Sequence, residues 1–390
     1  MASEESRPLR LRVGEASIAL RSNDDELRDW LRVAFHDLVD DAMHAESGET
    51  VDHELRLDRN EAGATLTIDG SHAHRSVNVP NVVDHLVSWC NRTTIESRSD
   101  HVNIHAAGLV APIRAGRARC IVVPGEPGAG KSTLAAAALA AGWGYLSDEV
   151  ISIDDAGIAH PYAKPVTIKP PSLPLLGLDP DQRRLGARQM RWYPTPRELG
   201  GTVADPMVPE ALVFADYEPE ADTELTPMSH TEAALAVAAN CQDELDAGGA
   251  ALLRLARLAM TTTAARLRQR DLRAAVELLA DLPAPEPPHH EARVLSPPPP
   301  PAGPIRGPRV VDGVVGVILD DGVVVHHPAT AVLVALDPLA GVIWQLLDGS
   351  TPQLDLAREL ADAFDHPVDD VAAGVMPLLA HLRVSGLAEG

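Results

Sequence analysis

The hydrophobic pattern of the first hundred residues alternates between the periods of strands and of helices. Short stretches in which every second residue is apolar predict strands. These predicted strands cover residues 11–13, 18–20, 55–57 and 64–68. Residues 25–39 carry apolar positions at helical spacing, and residues 82–90 also fit a helix. The pattern therefore predicts a small α/β region over residues 1–100.

From residue 101 the pattern is that of a sheet covered by helices. A short apolar strand at residues 120–123 leads into a glycine-rich loop, which an Ala/Leu-rich helix follows over residues 132–141. The other predicted elements are a hairpin at residues 150–160, a strand at 212–214 and helices at 231–239, 250–260 and 271–282. We interpret residues 101–282 as one domain.

The glycine-rich loop has the full pattern of a phosphate-binding P-loop. It consists of Gly125, Glu126, Pro127, Gly128, Ala129, Gly130, Lys131, Ser132 and Thr133. Glycines let consecutive backbone N–H groups point at phosphate oxygens, and the following helix adds its positive N-terminal end. In such a loop Lys131 reaches the β- and γ-phosphates, and the Ser132 hydroxyl ligates Mg²⁺. The loop predicts ATP with Mg²⁺ as ligand, and GTP stays open because no base pocket is recognisable.

Two adjacent carboxylates follow the P-loop helix. Asp148 lies 17 residues after Lys131, and Glu149 comes next, at the start of a predicted strand. Because neighbouring side chains on a strand point to opposite sides, one could accept a proton while the other supports Mg²⁺ directly or through water. The alternative is an exposed acidic pair at a strand end. His105, upstream of the P-loop strand, is on its own typical of a core or surface residue.

Together these motifs resemble the core of the HPr kinase/phosphorylase superfamily. The similar stretches are residues 105–110 (His-Ala-Ala-Gly-Leu-Val), the P-loop, and residues 144–150 (Gly-Tyr-Leu-Ser-Asp-Glu-Val). That family phosphorylates a protein serine and has its P-loop inside a fold related to phosphoenolpyruvate carboxykinase. The resemblance covers about residues 8–282 and is greatest for the HPr-kinase-like proteins of peptide-modification clusters.

The resemblance implies roles for individual residues. It places His105 in the catalytic site, Asp148 at the general-base position, and Glu149 at the metal-side position, where the family usually has a second Asp. Residues 197–201 (Arg-Glu-Leu-Gly-Gly) are similar to the family's Arg-Gly-Leu-Gly signature, which makes Arg197 a catalytic candidate despite the departure at Glu198. Related kinases are often oligomers, so a homo-oligomer is compatible with the resemblance, but no interface is visible in the sequence.

A proline-rich segment follows over residues 283–308 and includes a run of prolines at 297–301. Helix and sheet interiors do not tolerate this density, so an extended polyproline II linker is predicted. His289 and His290 are not accompanied by a constellation of Cys or carboxylate residues and are interpreted as solvated linker residues. A cut at Pro297 is accordingly expected to give two independently folded pieces.

Residues 309–390 have their own pattern. Strands are predicted at residues 310–318, 323–326 and 330–336, and helices at 338–347, 352–364 and 369–384. Residues 336–349 and the ending Gly386-Leu387 resemble PqqD, the recognition element for ribosomally made, modified peptides, with Asp337 where Asn is usual. The resemblance implies a winged-helix-like α+β domain that binds a precursor leader along the third strand and the last helix. A generic winged-helix module is the alternative, but few basic residues are available to bind DNA.

Composition narrows the functional classes. A formal net charge of −23 argues against a nucleic-acid partner, which requires a basic surface. The three cysteines lie far apart, so neither a disulfide framework nor a zinc site is predicted, and a reducing cytoplasm is the expected compartment. The N-terminus lacks the apolar segment of a signal peptide, and no apolar run is long enough for a membrane span. Among 33 Lys and Arg residues only Lys131, Lys164 and Lys169 are lysine, which makes Lys131 conspicuous.

The sequence thus predicts an α/β protein with an HPr-kinase-like P-loop core, a small N-terminal α/β region and a PqqD-like C-terminal domain. The expected function is ATP-dependent phosphorylation of a Ser or Thr hydroxyl on a ribosomally made precursor peptide, whose leader binds residues 309–390. Two alternatives stay open. One is a nucleotide-gated chaperone that delivers leader peptides to other enzymes, and the other is an NTPase switch that only hydrolyses.

Overall fold

The computed structural model of the chain describes residues 8–40, 50–114, 117–178, 191–246, 248–299 and 301–390. Contacts between residues divide the chain into two compact units. The P-loop unit comprises the chain up to residue 226 together with residues 265–283, and the C-terminal unit comprises residues 227–264 and 284–390. The sequence predicts that the N-terminus is not a signal peptide. Residues 1–7, on which this prediction falls, lie outside the described residues.

Helices form where apolar positions recur at helical spacing. In chain order they are α1 (Asp25–Ala34), α2 (Val79–Ser97), α3 (Lys131–Ala140), α4 (His230–Ala238), α5 (Ala250–Met260), α6 (Leu272–Ala280), α7 (Pro338–Gln345), α8 (Gln353–Phe364) and α9 (Val368–Val384). The helix predicted at residues 25–39 ends at Ala34, and a 3₁₀ turn at His36–Leu38 follows. The helix predicted at residues 82–90 is longer, because Pro80 is tolerated in its first turn.

The first sheet contains β1 (Leu9–Val13), β2 (Ala16–Arg21), β3 (His53–Asn60), β4 (Gly63–Ile68) and β5 (Ser71–Ser76), in that order. Among the described strand pairs of this sheet, only β2 and β3 are parallel. The apolar faces of this sheet and of α2 form one core with Val150 and Tyr162, which come from the predicted P-loop domain. Residues 1–100 are therefore part of the P-loop unit rather than a separate region.

The second sheet holds the P-loop. Its strands are β6 (Val102–Arg114), β7 (Arg117–Pro124), β8 (Gly144–Ser147), β9 (Val150–Ile153), β10 (Ala159–His160), β11 (Thr202–Val203), β12 (Pro209–Tyr217), β13 (Glu224–Pro227) and β14 (Thr263–Gln269). The main order is β10-β9-β6-β7-β12-β14-β13, while β8 pairs with β6 and with β11. The long strand β6 pairs with β7, β8 and β9, so it brings the P-loop strand and the β8–β9 corner together.

The C-terminal unit is built around a four-stranded antiparallel sheet. Its strands are β15 (Arg293–Leu295), β16 (Arg309–Val310), β17 (Val315–Leu319), β18 (Gly322–His327), β19 (Val332–Leu336) and β20 (Ala388–Glu389), of which β16 and β20 form a separate pair. The order is β15-β17-β18-β19. The proline-rich segment is thus not only a linker, because its residues Arg293–Leu295 form an edge strand.

Helices cover both faces of this sheet. Val323 and Val325 belong to the core formed with α7, α8 and α9. Val324 points to the opposite face and is also fully buried. Helices α4 and α5 provide the cover there, since α4 packs on β18 and β19 while α5 packs on β15 and β17.

The start of α4 is fixed by the turn between β17 and β18. The Asp321 carboxylate accepts hydrogen bonds from the N–H groups of His230 (2.7 Å) and Thr231 (2.9 Å) and from the Thr231 hydroxyl. It therefore adds to the Ser229 N-cap of a helix that is distant in sequence. The predicted domain boundaries change accordingly, because the helices at residues 231–239 and 250–260 were assigned to the 101–282 domain and lie in the C-terminal unit. A cut at Pro297 would separate β17, β18 and β19 from β15, α4 and α5.

Candidate nucleotide and peptide sites

The glycine-rich loop connects β7 directly to α3. Gly128 and Gly130 have φ angles of 105° and 92°, which residues with a Cβ rarely adopt. A Cβ on Gly130 would also lie 3.0 Å from Nε2 of Gln269, at the end of β14. Gly130 is the N-cap of α3, and within the described part of the chain no side chain caps this helix end. The first-turn N–H groups are thus not occupied by a capping side chain, as a phosphate-binding helix end requires.

The Lys131 ammonium group has three acceptors around it. Its Nζ atom lies 2.5 Å from the Gly125 carbonyl oxygen, 3.0 Å from the Glu126 carbonyl oxygen and 2.9 Å from Nε2 of His105. An ammonium group has three N–H donors, so this arrangement uses all of them. Burial lowers the pKa of Lys131 to about 8, against the opposing charges of Glu149 and Asp148.

His105 is held in one tautomer. Its Nδ1 atom lies 3.1 Å from the backbone carbonyl oxygen of Glu149, which can only accept, so Nδ1 carries the proton. Nε2 is then the acceptor for Lys131. Burial and, after it, the Lys131 charge lower the pKa of His105, which favours the neutral ring. His105 lines the same cavity as Lys131 and accepts from it, and its catalytic role stays a prediction.

Asp148 and Glu149 lie at the corner between β8 and β9 rather than on a strand, and they differ in exposure. Asp148 is fully buried, and its carboxylate accepts hydrogen bonds from the Lys164 ammonium group, the Tyr145 hydroxyl (2.8 Å) and the Thr167 N–H (3.0 Å). Burial alone would raise the pKa of Asp148, but the Lys164 charge and these hydrogen bonds bring it below its ordinary value. Such a carboxylate is a weak base that a substrate hydroxyl cannot easily reach.

Glu149 is the accessible member of the pair. Its side chain is 30% exposed, and one carboxylate oxygen lies 3.7 Å from Nδ1 of His105. Both Glu149 and the P-loop line one cavity of about 330 Å³. Among the described residues that line it, Glu149 is the carboxylate not engaged in a buried ion pair.

The cavity is rich in cations. Lys131 and Lys169 line it together with Arg191, and Lys164 pairs with Asp148 at its wall. All three lysines of the chain therefore lie at this site. Sequence reasoning missed Lys169 and Arg191, although the rarity of lysine was a usable signal for Lys169. Ser88 and Asn91 of α2 complete the wall, so the N-terminal region contributes to the site.

Arg197 does not line this cavity as the structure describes it. It is exposed, and its charge acts on Asp37. The carboxylate of Glu198, the residue that departs from the family signature, accepts hydrogen bonds from the N–H and hydroxyl of Thr195 and closes a local turn. The catalytic assignment of Arg197 is therefore not supported, and Arg191 is the arginine at the cavity.

The predicted Mg²⁺ ligands are placed unequally. Ser132, Asp148 and Glu149 all line the cavity, but the Asp148 carboxylate is paired with Lys164. Within the described part of the chain, no three His, Cys, Asp or Glu residues are grouped as a metal site. A hydroxyl and one carboxylate suit Mg²⁺ that is held mainly by phosphate oxygens and water.

The C-terminal unit has a second candidate site at the free edge of its sheet. Among the strands that the structure describes, β19 pairs only with β18, and its residues Val332, Leu333, Val334 and Ala335 are partly exposed. Next to the end of β19 lies a groove of about 530 Å³ between α7, α8 and α9. The opposite edge is the three-residue strand β15, whose proline-rich surroundings make it a poor partner for another strand.

The molecule is thus a mixed α/β protein with a P-loop cavity in one unit and an open sheet edge in the other. Residues 322–388 match the profile of the family described as "Coenzyme PQQ synthesis protein D (PqqD)". The match begins at β18 and includes β19 and α7 to α9, which confirms the PqqD-like part of the predicted resemblance. No curated protein matches the chain. Within the described residues, no helix has the length and apolar character needed to cross a membrane.

Proposed function

We propose that the chain is a nucleotide-dependent kinase that phosphorylates a hydroxyl of a peptide, and that the C-terminal unit binds the leader of that peptide. The observation that carries the proposal is one cavity in which the P-loop, Lys131, Lys169 and Arg191 surround a single accessible carboxylate, Glu149. Phosphoryl transfer needs cations around the phosphates and a group that accepts the proton of the attacking hydroxyl.

The cations of the cavity lie on different segments and would contact different parts of the nucleotide. The N–H groups at the start of α3 would bind the β- and γ-phosphates, and Lys131 would join them by exchanging one of its three present acceptors for a phosphate oxygen. Lys169 and Arg191, on segments outside the P-loop, supply positive charge that the loop alone does not have. Ser132 would hold Mg²⁺, which neutralises charge on the phosphates when it is bound. Because Lys164 already neutralises Asp148, the other cations are left to act on the substrate.

Glu149 is the better candidate for the base. A base must come within hydrogen-bond distance of the acceptor hydroxyl. Asp148 and Glu149 both line the cavity, but the Asp148 carboxylate is fully buried and paired with Lys164, whereas Glu149 is accessible. We therefore assign proton transfer to Glu149 and a structural role to Asp148, which reverses the roles implied by the family resemblance.

Glu149→Gln is expected to lower kcat for peptide phosphorylation by about 10²- to 10⁴-fold, since the amide cannot accept the proton. Nucleotide affinity should stay within about threefold, because Glu149 carries no positive charge for the phosphates. Steady-state kinetics with labelled ATP measure both quantities. If Asp148→Asn removes activity in a folded protein while Glu149→Gln only raises the Mg²⁺ requirement, the two roles must be exchanged.

The PqqD-like unit supports the peptide part of the proposal. PqqD domains bind precursor leaders, and the free edge of β19 offers backbone groups to an extended peptide. Because both units belong to one chain, a bound leader raises the effective concentration of the peptide's acceptor segment at the kinase.

Proline replacements at Leu333 and Val334 distinguish the two sides of β19. Neighbouring N–H groups on a strand point alternately to the partner strand and away from it. One replacement should therefore destabilise the β18–β19 pairing, while the other should leave stability unchanged and weaken leader binding about five- to tenfold. Fluorescence anisotropy with a labelled leader, beside urea unfolding, makes the comparison. Unchanged binding by both variants would remove β19 as the docking edge.

The proposed activity is tested by incubating the full chain with γ-labelled ATP, Mg²⁺ and a pool of Ser- and Thr-containing peptides that includes the precursor encoded nearest to its gene. Label on a peptide is the expected result. Free labelled phosphate alone would indicate an NTPase switch, and nucleotide binding without turnover would indicate a nucleotide-gated chaperone.

A further inference from the structure

The groove beside β19 has an apolar floor. Leu339 and Ile343 of α7, Phe364 of α8 and Leu378 of α9 line it. Leu339 and Phe364, which both line this groove, are 52% and 50% exposed. Large apolar side chains exposed together in one groove mark a binding surface. Its volume of about 530 Å³ is enough for several apolar side chains of a peptide.

The polar rim of the groove is acidic. Its polar lining residues are Asp337, His366 and Asp370, and among the described residues no Lys or Arg lines it. Residues 309–390 contain twelve Asp and Glu residues, three Arg and no Lys. All three arginines have local partners. Arg309 pairs with Asp312 and Glu389, Arg358 pairs with Asp355, and Arg383 bonds Gln353.

From this charge pattern we infer that the leader is a cationic amphipathic segment, whose apolar side chains fill the groove while Lys or Arg residues lie beside Asp337 and Asp370. The inference rests on the proposed function, in that it names the chemistry of the leader. An acidic peptide would meet like charges at the rim, and so would a second copy of this chain, whose net charge is −23. A basic leader gains both apolar burial and charge complementarity at the same place.

The test uses the full chain and three fluorescent synthetic peptides, which share the same Leu and Phe positions and carry Lys, Gln or Glu at all polar positions. The Lys peptide is expected to bind at least tenfold more tightly than the Gln peptide, with the Glu peptide weakest, and 0.5 M salt should reduce this preference. Phe364→Ala should weaken binding of the Lys and Gln peptides together.

Asp370→Asn should weaken the Lys peptide about threefold and leave the Gln peptide unchanged. Asp362→Asn is the matched control, because Asp362 is an exposed carboxylate of α8 outside the groove, and it should change neither. Equal binding of the three peptides, or preference for Glu, would overturn the inference. A dimer in sedimentation that Phe364→Ala dissociates would also overturn it.

These measurements need no nucleotide, so their outcome is separate from that of the proposed function. Absence of phosphoryl transfer together with preference for the Lys peptide would refute the kinase and keep the leader chemistry. Phosphoryl transfer to a peptide whose acidic leader binds tightly would support the kinase and refute the inferred leader chemistry.

Discussion

Lys131→Ala is expected to reduce phosphoryl transfer by at least about 10²- to 10³-fold, the usual loss when one charge-stabilising donor is removed from a transition state. The two other lysines cannot compensate. Lys164 is buried against Asp148, and Lys169 lies on a different segment of the cavity wall. Transfer of label from γ-labelled ATP to peptide measures the effect, and circular dichroism checks the fold.

Lys131→Arg should be impaired almost as strongly, although it keeps the charge. The Gly125 and Glu126 carbonyls and His105 Nε2 surround a compact ammonium group, and the planar guanidinium group does not fit this arrangement. Arg273→Ala, which removes an exposed cation of α6 paired with Glu277, serves as the control and should stay within twofold of the unmodified chain. Full activity of Lys131→Ala in a folded protein would refute the P-loop assignment.

The P-loop and its flanking elements could be predicted because their signals are local. The apolar residues of β7, the glycines and the Ala/Leu pattern of α3 follow each other without interruption. His105 lies only 26 residues from Lys131, and the strand pairing of β6 with β7 joins them. The sequence could not predict that Asp148 is buried in an ion pair while Glu149 stays accessible. This difference depends on Lys164, whose contact with Asp148 forms only in the folded chain.

Sheet membership could not be predicted for α4 and α5. Their apolar faces have the same composition whichever sheet they cover, and their place is decided by contacts such as that of Asp321 with Thr231, 90 positions away in sequence. Arg197 failed as a prediction for a related reason. A four-residue likeness says nothing about the direction of a side chain, whereas the isolated Arg191 has no motif around it and still lines the cavity.

Strand β15 was not predicted because the proline content of its segment favours a linker. Prolines crowd the segment from 283 to 308, yet the three residues Arg293–Leu295 are free of proline and pair with β17. An edge strand needs hydrogen bonds on one side only, so it can be short and can have proline neighbours. A composition average over the whole segment cannot detect such a strand.

The second large effect is expected for Lys164→Met, which should destabilise the P-loop unit by about 3–5 kcal/mol. The side chains of Lys164 and Asp148 are both completely buried. Removing the cation leaves a buried carboxylate without its counter-charge, and the remaining hydrogen bonds from Tyr145 and Thr167 offset only part of this cost. Lys169→Met is the matched control, because Lys169 is exposed, and it should lower transfer while changing stability by less than about 0.5 kcal/mol.

The double variant Lys164→Met with Asp148→Asn distinguishes charge from packing. Asparagine removes the buried negative charge, its amide oxygen can still accept from the Thr167 N–H, and its NH2 group can donate to the Tyr145 hydroxyl oxygen. The double variant should therefore recover much of the lost stability. Hydrogen exchange followed by mass spectrometry on the segments of β8 and β9 reports the P-loop unit separately from the C-terminal unit. If Lys164→Met and Lys169→Met show equal protection from hydrogen exchange in β8 and β9, the buried pair does not stabilise this corner. Loss of protection that Asp148→Asn fails to restore would assign the effect to packing of the lysine side chain instead of its charge.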